Sequence, residues 1–216
     1  MKDDPIKDHP PIWPYSKALA EEGHPPIWGK DGSQVLFKER YPVILKTYDK
    51  WKDLNPLLEK YIRQQGDRIK HRSNIKAQMT EWNMQLEAGG EHFQKLVDWV
   101  REVSIDSSPV QFIPDCYDCW GAVYKKGDYT ISHDHWPAIW SWTYYVNVTS
   151  QCSPLVFTNS DYKVQPSNGL LVLFPGWVKH KVPQECDHER VMVAGNLNAV
   201  GKKLGDKTYE KFSDLK

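Results

Sequence analysis

The second half of the chain is a series of short strands, and this feature restricts the fold more than any other. From about residue 106 onward, eight runs rich in β-branched and aromatic residues are separated by turn signals, with no helical pattern between them. Eight short strands in succession predict a sandwich or a jelly roll. The predicted strands are 121–124, 129–135, 139–148, 155–158, 162–165, 170–174, 178–182 and 190–198.

The first half predicts a strand at 34–37 and then supporting helices. In DLNPLLEKYIRQ (53–64), Asn55 occupies the position of an N-cap and Pro56 that of the first helical residue. A second helix is predicted from apolar residues spaced by three and four, namely Phe93, Leu96, Val97, Val100 and Val103. We therefore expect a mostly β protein with flanking helices (α+β), built as a double-stranded β-helix (jelly roll) with the helices packed on one sheet.

The length of 216 residues suits a single domain. Within it we distinguish an extended proline-rich arm (1–32), a strand and helical support region (33–105) and a jelly-roll core with a metal site (106–216). The arm contains the sequence His-Pro-Pro-Ile-Trp twice, beginning at His9 and at His24. A histidine before two prolines is more often a surface residue than a ligand, so neither is assigned to the site.

Composition argues against several kinds of partner. The formal net charge is zero and the isoelectric point is near 7.1, so no basic surface indicates binding of nucleic acid or an anionic membrane. No apolar run approaches the roughly 20 residues of a membrane span, and the first residues lack the apolar core of a secretion signal. The sequence thus predicts a soluble cytoplasmic protein. Its four cysteines are too few for a disulfide scaffold and are expected to be reduced thiols.

The stretch SHDHWPAIWSW (132–142) contains three potential metal ligands in a row, His133, Asp134 and His135. Side chains alternate between the two faces of a strand, so a strand here would point both histidines one way and Asp134 the other. His180 lies on a later strand, and a jelly roll brings its early and late strands together. We therefore predict a metal site of His133, His135 and His180 with positions open for substrate and oxygen. The alternative is a bulge that turns Asp134 inward in place of His135.

Arg190 is the second candidate for chemistry. It begins the last predicted strand, RVMVAGNL, ten residues after His180. Arginine is the side chain best shaped to hold a carboxylate through two parallel hydrogen bonds. Its position one hairpin after a candidate ligand indicates a carboxylate-binding group near the metal.

Two segments carry a resemblance to a known family: YKKGDYTISHDHWPAIWSWTYYVN (124–147) and NGLLVLFPGWVKHKVPQECDHERVMVAGN (168–196). They resemble the iron(II)/2-oxoglutarate-dependent oxygenases, particularly the prolyl-4-hydroxylase-like branch. The shared pattern runs from a tyrosine and a glycine through His-x-Asp to a Tyr-Tyr strand. An apolar strand ending in Phe-Pro, a distal histidine and an arginine follow it. The resemblance covers about residues 120–198, roughly a third of the chain.

The resemblance implies roles for particular residues. His133 and His180 match the first and the distal iron ligand, and Arg190 matches the residue that binds the far carboxylate of 2-oxoglutarate. Tyr124 matches the tyrosine that commonly hydrogen-bonds this co-substrate. Three further residues match positions that line the same pocket, namely Ser141, Tyr145 and Asn196.

One position departs from the family's pattern. The carboxylate ligand of the family stands two residues after the first histidine, where this chain has His135, and Asp134 does not match it. Two histidines and a carboxylate leave Fe(II) with one net positive charge, whereas three neutral histidines leave two. The departure is consistent with tighter binding of anionic 2-oxoglutarate, with a preference for another metal, or with loss of catalysis.

The resemblance implies an enzyme that uses Fe(II), 2-oxoglutarate and O2 to hydroxylate a prime substrate, with release of succinate and CO2. Such chemistry needs an enclosed, water-poor site. Four tryptophans are candidates either for lining its mouth or for filling the sheets, namely Trp136, Trp140, Trp142 and Trp177. The prime substrate and the oligomeric state are not readable from the sequence.

Two other interpretations remain open. The spacing of Gly127, His133 and His135, and of Gly169 and His180, is also similar to that of cupins, some of which are three-histidine dioxygenases. Against this, the glutamate expected shortly after the second histidine is absent. The third interpretation is a non-catalytic jelly-roll binding module, which predicts folding without metal and no open coordination position.

Overall fold

The computed structural model describes residues 41–108, 112–184 and 188–199, which form eleven strands, two α-helices and a short 3₁₀ turn at Met84–Leu86. The predicted strand at 34–37 and the arm at 1–32, with His9 and His24, lie outside the described residues. The helices are α1 (Trp51–Gln65) and α2 (Gly90–Ser107). The strands are β1 (Ile44–Thr47), β2 (Ile75–Lys76), β3 (Gln78–Met79), β4 (Pro114–Tyr124), β5 (Tyr129–His133), β6 (Trp140–Asn147), β7 (Leu155–Phe157), β8 (Tyr162–Val164), β9 (Leu170–Pro175), β10 (His180–Val182) and β11 (Arg190–Ala199).

The larger sheet has six antiparallel strands in the order β1-β9-β6-β11-β4-β3. Both helices pack on one of its faces. The apolar stripe of α2 explains this contact, because Phe93, Leu96 and Val100 are fully buried in one cluster with Trp142 and Leu171 of the sheet. Burial of each such side chain contributes about 1.5–3 kcal/mol to folding. Neither helix of the described chain has the length and apolar character needed to cross a membrane.

The smaller sheet has five strands in the order β2-β5-β10-β7-β8, and a second core lies between the two sheets. Tyr145 and Phe174 from the larger sheet meet Phe157 and Val182 from the smaller one in this core. Two facing antiparallel sheets with helices packed on one of them form the jelly roll that the sequence predicts. The prediction of fold class is therefore confirmed.

Alternation along β6 decides which of its side chains face the interior of the jelly roll. Tyr145 belongs to the core between the sheets, whereas Trp140 and Trp142 belong to the core beneath the helices. These two tryptophans therefore fill the fold and do not line a mouth. Trp136 and Trp177 are exposed.

Helix α1 begins at Trp51, before the predicted N-cap. Asn55 lies inside the helix and is buried, and its side chain reaches across to β6. Its Nδ2 donates to the carbonyl oxygens of Val146 at 2.5 Å and Tyr145 at 3.4 Å, and its Oδ1 accepts from the Tyr144 hydroxyl at 2.7 Å. The N-cap prediction for Asn55 is wrong because a tertiary contact, rather than the helix end, uses the side chain's hydrogen bonds.

Replacing Asn55 with alanine should destabilise the protein by roughly 3 kcal/mol, because it leaves the Tyr144 hydroxyl and the strand carbonyls without their partner at about 1–3 kcal/mol per buried group. Denaturant unfolding followed by circular dichroism measures the change. Gln64→Ala, on an exposed position of the same helix, is the control and should change stability by less than about 0.5 kcal/mol. Equal stability of the two variants would contradict the bridging role of Asn55.

Cys116 and Cys119, which form a CxxC segment, are free thiols, as is Cys152. Burial raises the pKa of the Cys116 thiol to about 12 and raises that of Cys119 as well. A thiol that stays protonated at neutral pH is a poor nucleophile and a poor redox partner. The geometry is thus in keeping with reduced, structural thiols.

Candidate metal centre

Three histidines come together in the structure. The ligand nitrogens of His133, His135 and His180 all lie within 4.8 Å of one another. Their ring centroids are 4.5 Å apart for His133 and His180, 4.8 Å for His133 and His135, and 5.2 Å for His135 and His180. A group of this kind can offer three nitrogen donors to one metal ion.

His133 and His180 face each other across two neighbouring strands. His133 ends β5 and pairs in antiparallel register with His180, which begins β10. The Nδ1 of His133 lies 2.7 Å from the carbonyl oxygen of Ile131, and that of His180 lies 3.0 Å from the carbonyl oxygen of Val178. Because a carbonyl oxygen only accepts, each Nδ1 carries the proton and each Nε2 keeps a lone pair for a metal.

His135 reaches the group from a loop. Strand β5 ends at His133, so strand alternation does not extend to His135, and the predicted reason for its placement is wrong. Its backbone N–H instead donates to the carbonyl oxygen of Gly176 at 2.7 Å, which ties this loop to the end of β9. The carboxylate of Asp134 accepts from the backbone N–H of Trp136 at 3.2 Å and is not part of the histidine group.

Burial keeps the three rings neutral. It lowers the pKa of His135 and of His180 to about 3, with the neighbouring histidines adding to the effect, and it also lowers the pKa of His133. At neutral pH the rings are therefore uncharged, as metal ligation requires. Within the described residues no carboxylate belongs to the group, so a divalent ion held there would keep its full charge toward further ligands.

Arg190 lies deep in the same interior, with 2% of its surface exposed. Its guanidinium carbon lies 4.6 Å from the ring centroid of Tyr124 and 5.4 Å from that of Tyr145, as in a cation–π contact. One guanidinium nitrogen donates to the carbonyl oxygen of Ser153 at 3.0 Å. No described aspartate or glutamate forms an ion pair with it. A buried cation without an anion is costly, which indicates a place for an anionic ligand.

Four buried polar groups beside Arg190 or further along β6 have no hydrogen-bond partner among the described residues. They are Nε of Arg190, the Tyr145 hydroxyl, Oγ of Ser153 and Oγ1 of Thr143. Each would cost about 1–3 kcal/mol if left unsatisfied, so these groups are candidates for binding a ligand with acceptor oxygens. Thr143 and Ser153 were not predicted. Alternation from Tyr145 along β6 identifies Thr143, whereas no sequence pattern marks Ser153.

Tyr124 lies beside Arg190, but its hydroxyl already has a partner. It shares a 2.6 Å hydrogen bond with Oγ1 of Thr130, while its ring contacts the guanidinium. Burial raises the pKa of Tyr124, and the positive charge of Arg190 partly offsets this. The structure thus gives Tyr124 a clear contact with the arginine and orients its hydroxyl through Thr130.

Ser141 and Asn196 lie beside the histidine group rather than beside Arg190. They are opposite each other on β6 and β11, and Oγ of Ser141 donates to Oδ1 of Asn196 at 2.7 Å. Phe174 of β9 continues the same row, and its ring centroid lies 4.7 Å from that of His180. Of the predicted pocket residues, the structure therefore groups Tyr124 and Tyr145 with the arginine, and Ser141 and Asn196 with the histidines.

No protein family model matches the sequence, and no curated protein matches it. Solved structures do match the fold. A prolyl-4-hydroxylase from Pseudomonas putida superposes with a TM-score of 0.59 at 18% identity, over 74% of this chain and 94% of its own. The viral collagen prolyl hydroxylase of Paramecium bursaria Chlorella virus-1, in its complex with 2-oxoglutarate, gives a TM-score of 0.58 at 15% identity, over 72% of this chain and 96% of its own.

A third match is the prolyl hydroxylase of Trichoplax adhaerens in complex with a peptide fragment of the hypoxia inducible factor oxygen degradation domain. It gives a TM-score of 0.58 at 16% identity, over 73% of this chain and 83% of its own. Likeness at such low identity is a likeness of fold. The chain therefore has the jelly-roll fold of these prolyl hydroxylases, as the resemblance of its two segments predicts.

Proposed function

We propose that the protein is a non-haem oxygenase that depends on Fe(II) and 2-oxoglutarate and hydroxylates a prime substrate with release of succinate and CO2. One observation carries the proposal: the jelly roll holds a group of three neutral histidines and a buried Arg190 that has no ion-pair partner among the described residues. A ligand that chelates a metal at one end and presents a carboxylate at the other fits both. 2-Oxoglutarate has this chemistry.

His133, His135 and His180 are the residues that would hold the iron. Imidazole nitrogens suit Fe(II), and three protein donors leave coordination positions for the co-substrate and O2. When bound, Fe(II) with 2-oxoglutarate supplies the activation of O2 for oxidation of a C–H bond, while 2-oxoglutarate becomes succinate and CO2. The uncompensated charge of the ion would also attract the co-substrate dianion more strongly than a site with a carboxylate ligand would.

Arg190 would bind the far carboxylate of 2-oxoglutarate. Its Nε and the hydroxyls of Tyr145 and Ser153, which have no hydrogen-bond partner within the described ranges, are donors available to carboxylate oxygens there. Contact with the ring of Tyr124 limits the motion of the guanidinium before any ligand arrives. A pre-positioned arginine loses less freedom on binding, which favours affinity.

The apolar core between the sheets would exclude water from the reaction. The ring of Phe174 lies 4.7 Å from that of His180 and 5.0 Å from that of Phe157. An oxidising centre benefits from such enclosure because water and side reactions are kept out. Ser141 and Asn196 are the polar groups on the histidine side, where we place the prime substrate.

The three-histidine group alone also suits a cupin-type dioxygenase. That interpretation gives no role to Arg190 or to the unsatisfied groups around it, and neither does a non-catalytic binding module. Dependence on 2-oxoglutarate therefore separates the candidates. The Chlorella virus structure holds 2-oxoglutarate and the Trichoplax structure holds a peptide, which supports a co-substrate and a separate prime substrate as the partners here, together with O2.

Anaerobic addition of Fe(II) and 2-oxoglutarate to the full-length protein should produce the visible charge-transfer band of the iron chelate. Fe(II) alone and 2-oxoglutarate alone are the controls and should not produce it. Admission of O2 should then bleach the band with formation of succinate. Absence of the band at saturating Fe(II) would exclude the proposed function, and O2 uptake without any requirement for 2-oxoglutarate would favour the cupin-type alternative.

A further inference from the structure

A carboxylate on β4 has no part in the proposed binding of 2-oxoglutarate. Asp118 is opposite Asn196 in the pairing of β4 with β11, on the face of β4 that points into the jelly roll. Trp120, the next inward residue of β4, has its ring centroid 6.1 Å from that of His135. Along β11, Asn196 is six residues from Arg190, or about 20 Å at the rise of a strand.

The Asp118 carboxylate is held in place but is not neutralised. Its two oxygens accept from the backbone N–H and from Nδ2 of Asn196, each at 2.7 Å. No lysine or arginine in the described ranges forms an ion pair with it. An ionised carboxylate has about four acceptor sites, so roughly half of its capacity stays available. The group is partly exposed, and burial raises its pKa.

A partly exposed tryptophan is held against β4 at the residue next to Asp118. The carbonyl oxygen of Trp82 accepts from the backbone N–H of Cys119 at 2.6 Å, which fixes Trp82 beside β4 next to Asp118. The side chain of Trp82 is 39% exposed and meets Trp120 edge to face, with ring centroids 5.0 Å apart. The face of an indole attracts cations, and more strongly than the other aromatic rings do. Asp118 and Trp82 thus both favour a positive charge, and Trp120 links them to the histidine group through its contact with His135.

We propose that Asp118 and Trp82 form a subsite that receives a cationic group of the prime substrate, either an ammonium or a guanidinium. The inference rests on the proposed function, because it takes the histidine group as the place of reaction. Asn196 is the positioning residue, since its two donors fix the carboxylate. Arg190 would bind the far carboxylate of 2-oxoglutarate and lies six residues from Asn196 along β11, so Asp118 is not needed to hold the co-substrate and is available to a cation.

Two pairs of probes test this subsite: L-arginine against L-citrulline, and L-lysine against L-norleucine. Within each pair the carbon chain is kept and the side-chain charge is removed. Binding is followed by the tryptophan indole resonances of the metal-free protein and, separately, by the shift of the anaerobic chelate band. For at least one pair we expect the cation to bind about 10-fold more tightly than its neutral partner.

The substitution Asp118→Asn should reduce this preference to about 2-fold or less, since it removes the charge and keeps the size. Asp98→Asn makes the same change of net charge on α2 and should leave the preference intact. Trp82→Leu keeps the hydrogen bonds between Asp118 and Asn196. It should weaken binding of the cationic probes by about 3-fold without affecting binding of the neutral probes. Thermal unfolding checks that each variant is folded.

Equal affinity within both pairs, no binding of either cation at millimolar concentration, or a preference that survives Asp118→Asn would overturn the inference. So would a loss of preference in Asp98→Asn of the same size. The failure of the proposed function would be seen in a different measurement, namely as the absence of the chelate band. The metal-free titration does not depend on that band, so the two failures are distinguishable.

Discussion

Replacing His180 with alanine will lower the affinity for Fe(II) by about 100-fold or more and abolish the chelate band with 2-oxoglutarate. His180 is the most buried of the three histidines, with 6% of its surface exposed, and it sits opposite His133 in the strand pairing. Mutation of groups that only orient a ligand already costs 10–100-fold in metal affinity, and loss of a donor exceeds this. An anaerobic Fe(II) titration, with metal content determined after gel filtration, measures the effect.

The choice of ligands is tested by comparing His135→Ala with Asp134→Ala, which serves as the matched control. The Asp134 carboxylate bonds to the loop backbone, so its removal should leave Fe(II) affinity in place, whereas removal of His135 should reduce it as His180→Ala does. The reverse pattern would show that the carboxylate is the ligand and that the loop rearranges around the metal. His180→Ala with unchanged affinity would exclude the histidine group as the metal site.

Arg190→Ala should weaken 2-oxoglutarate binding by about 100-fold and leave Fe(II) affinity unchanged. Truncating one partner of a buried, hydrogen-bonded charge pair costs about 2–5 kcal/mol, which corresponds to this loss. Arg190→Lys keeps the charge without the planar fork of donors, so its affinity for 2-oxoglutarate should lie between those of the wild type and Arg190→Ala. Titration of the Fe(II)-loaded protein with 2-oxoglutarate, read from the chelate band, gives the affinities.

A surface arginine provides the control for this loss. Arg63 bonds to Glu59 and to Glu189, the neighbour of Arg190 in the chain. Arg63→Ala therefore disturbs the same neighbourhood without touching the interior and should leave 2-oxoglutarate affinity unchanged. If Arg190→Ala and Arg63→Ala behave alike, Arg190 does not bind the co-substrate.

Local sequence patterns predict much of the fold. All eight strands from β4 to β11 follow from runs of β-branched and aromatic residues, although β4 begins at Pro114, well before the predicted residue 121. Helix α2 follows from its apolar stripe. Strands β1, β2 and β3 have only two to four residues each. Alternation is not visible over so short a length, and these strands form because an edge of a longer strand is available to them.

The members of the site are predicted better than the causes of their positions. The sequence places His133, His135 and His180 together, yet a carbonyl oxygen of a distant loop positions His135. Asn55 is a second example: its local pattern predicts an N-cap, whereas its side chain forms hydrogen bonds to β6. Ser153 belongs to no motif, and Asp118 lies inside the CxxC segment without being one of its cysteines. Their relation to the site depends on which distant strands become neighbours, and that is settled by the packing of the whole sheet.

Because β5 and β10 carry two of the three histidines, the stability of the smaller sheet should depend on whether a metal ion is bound at the histidine group. These strands have five and three residues, and their register shifts between His180 and Val182. So short a ladder opens more easily than the long strands of the other sheet. An ion held by His133 and His180 would cross-link the two strands; if it bound only the folded chain, it would add about 2.7 kcal/mol at 100 times its dissociation constant. Loss of the ion would therefore destabilise the pairing of β5 with β10 as well as remove the metal from the site. Faster amide hydrogen exchange in β10 would then report the metal-free state.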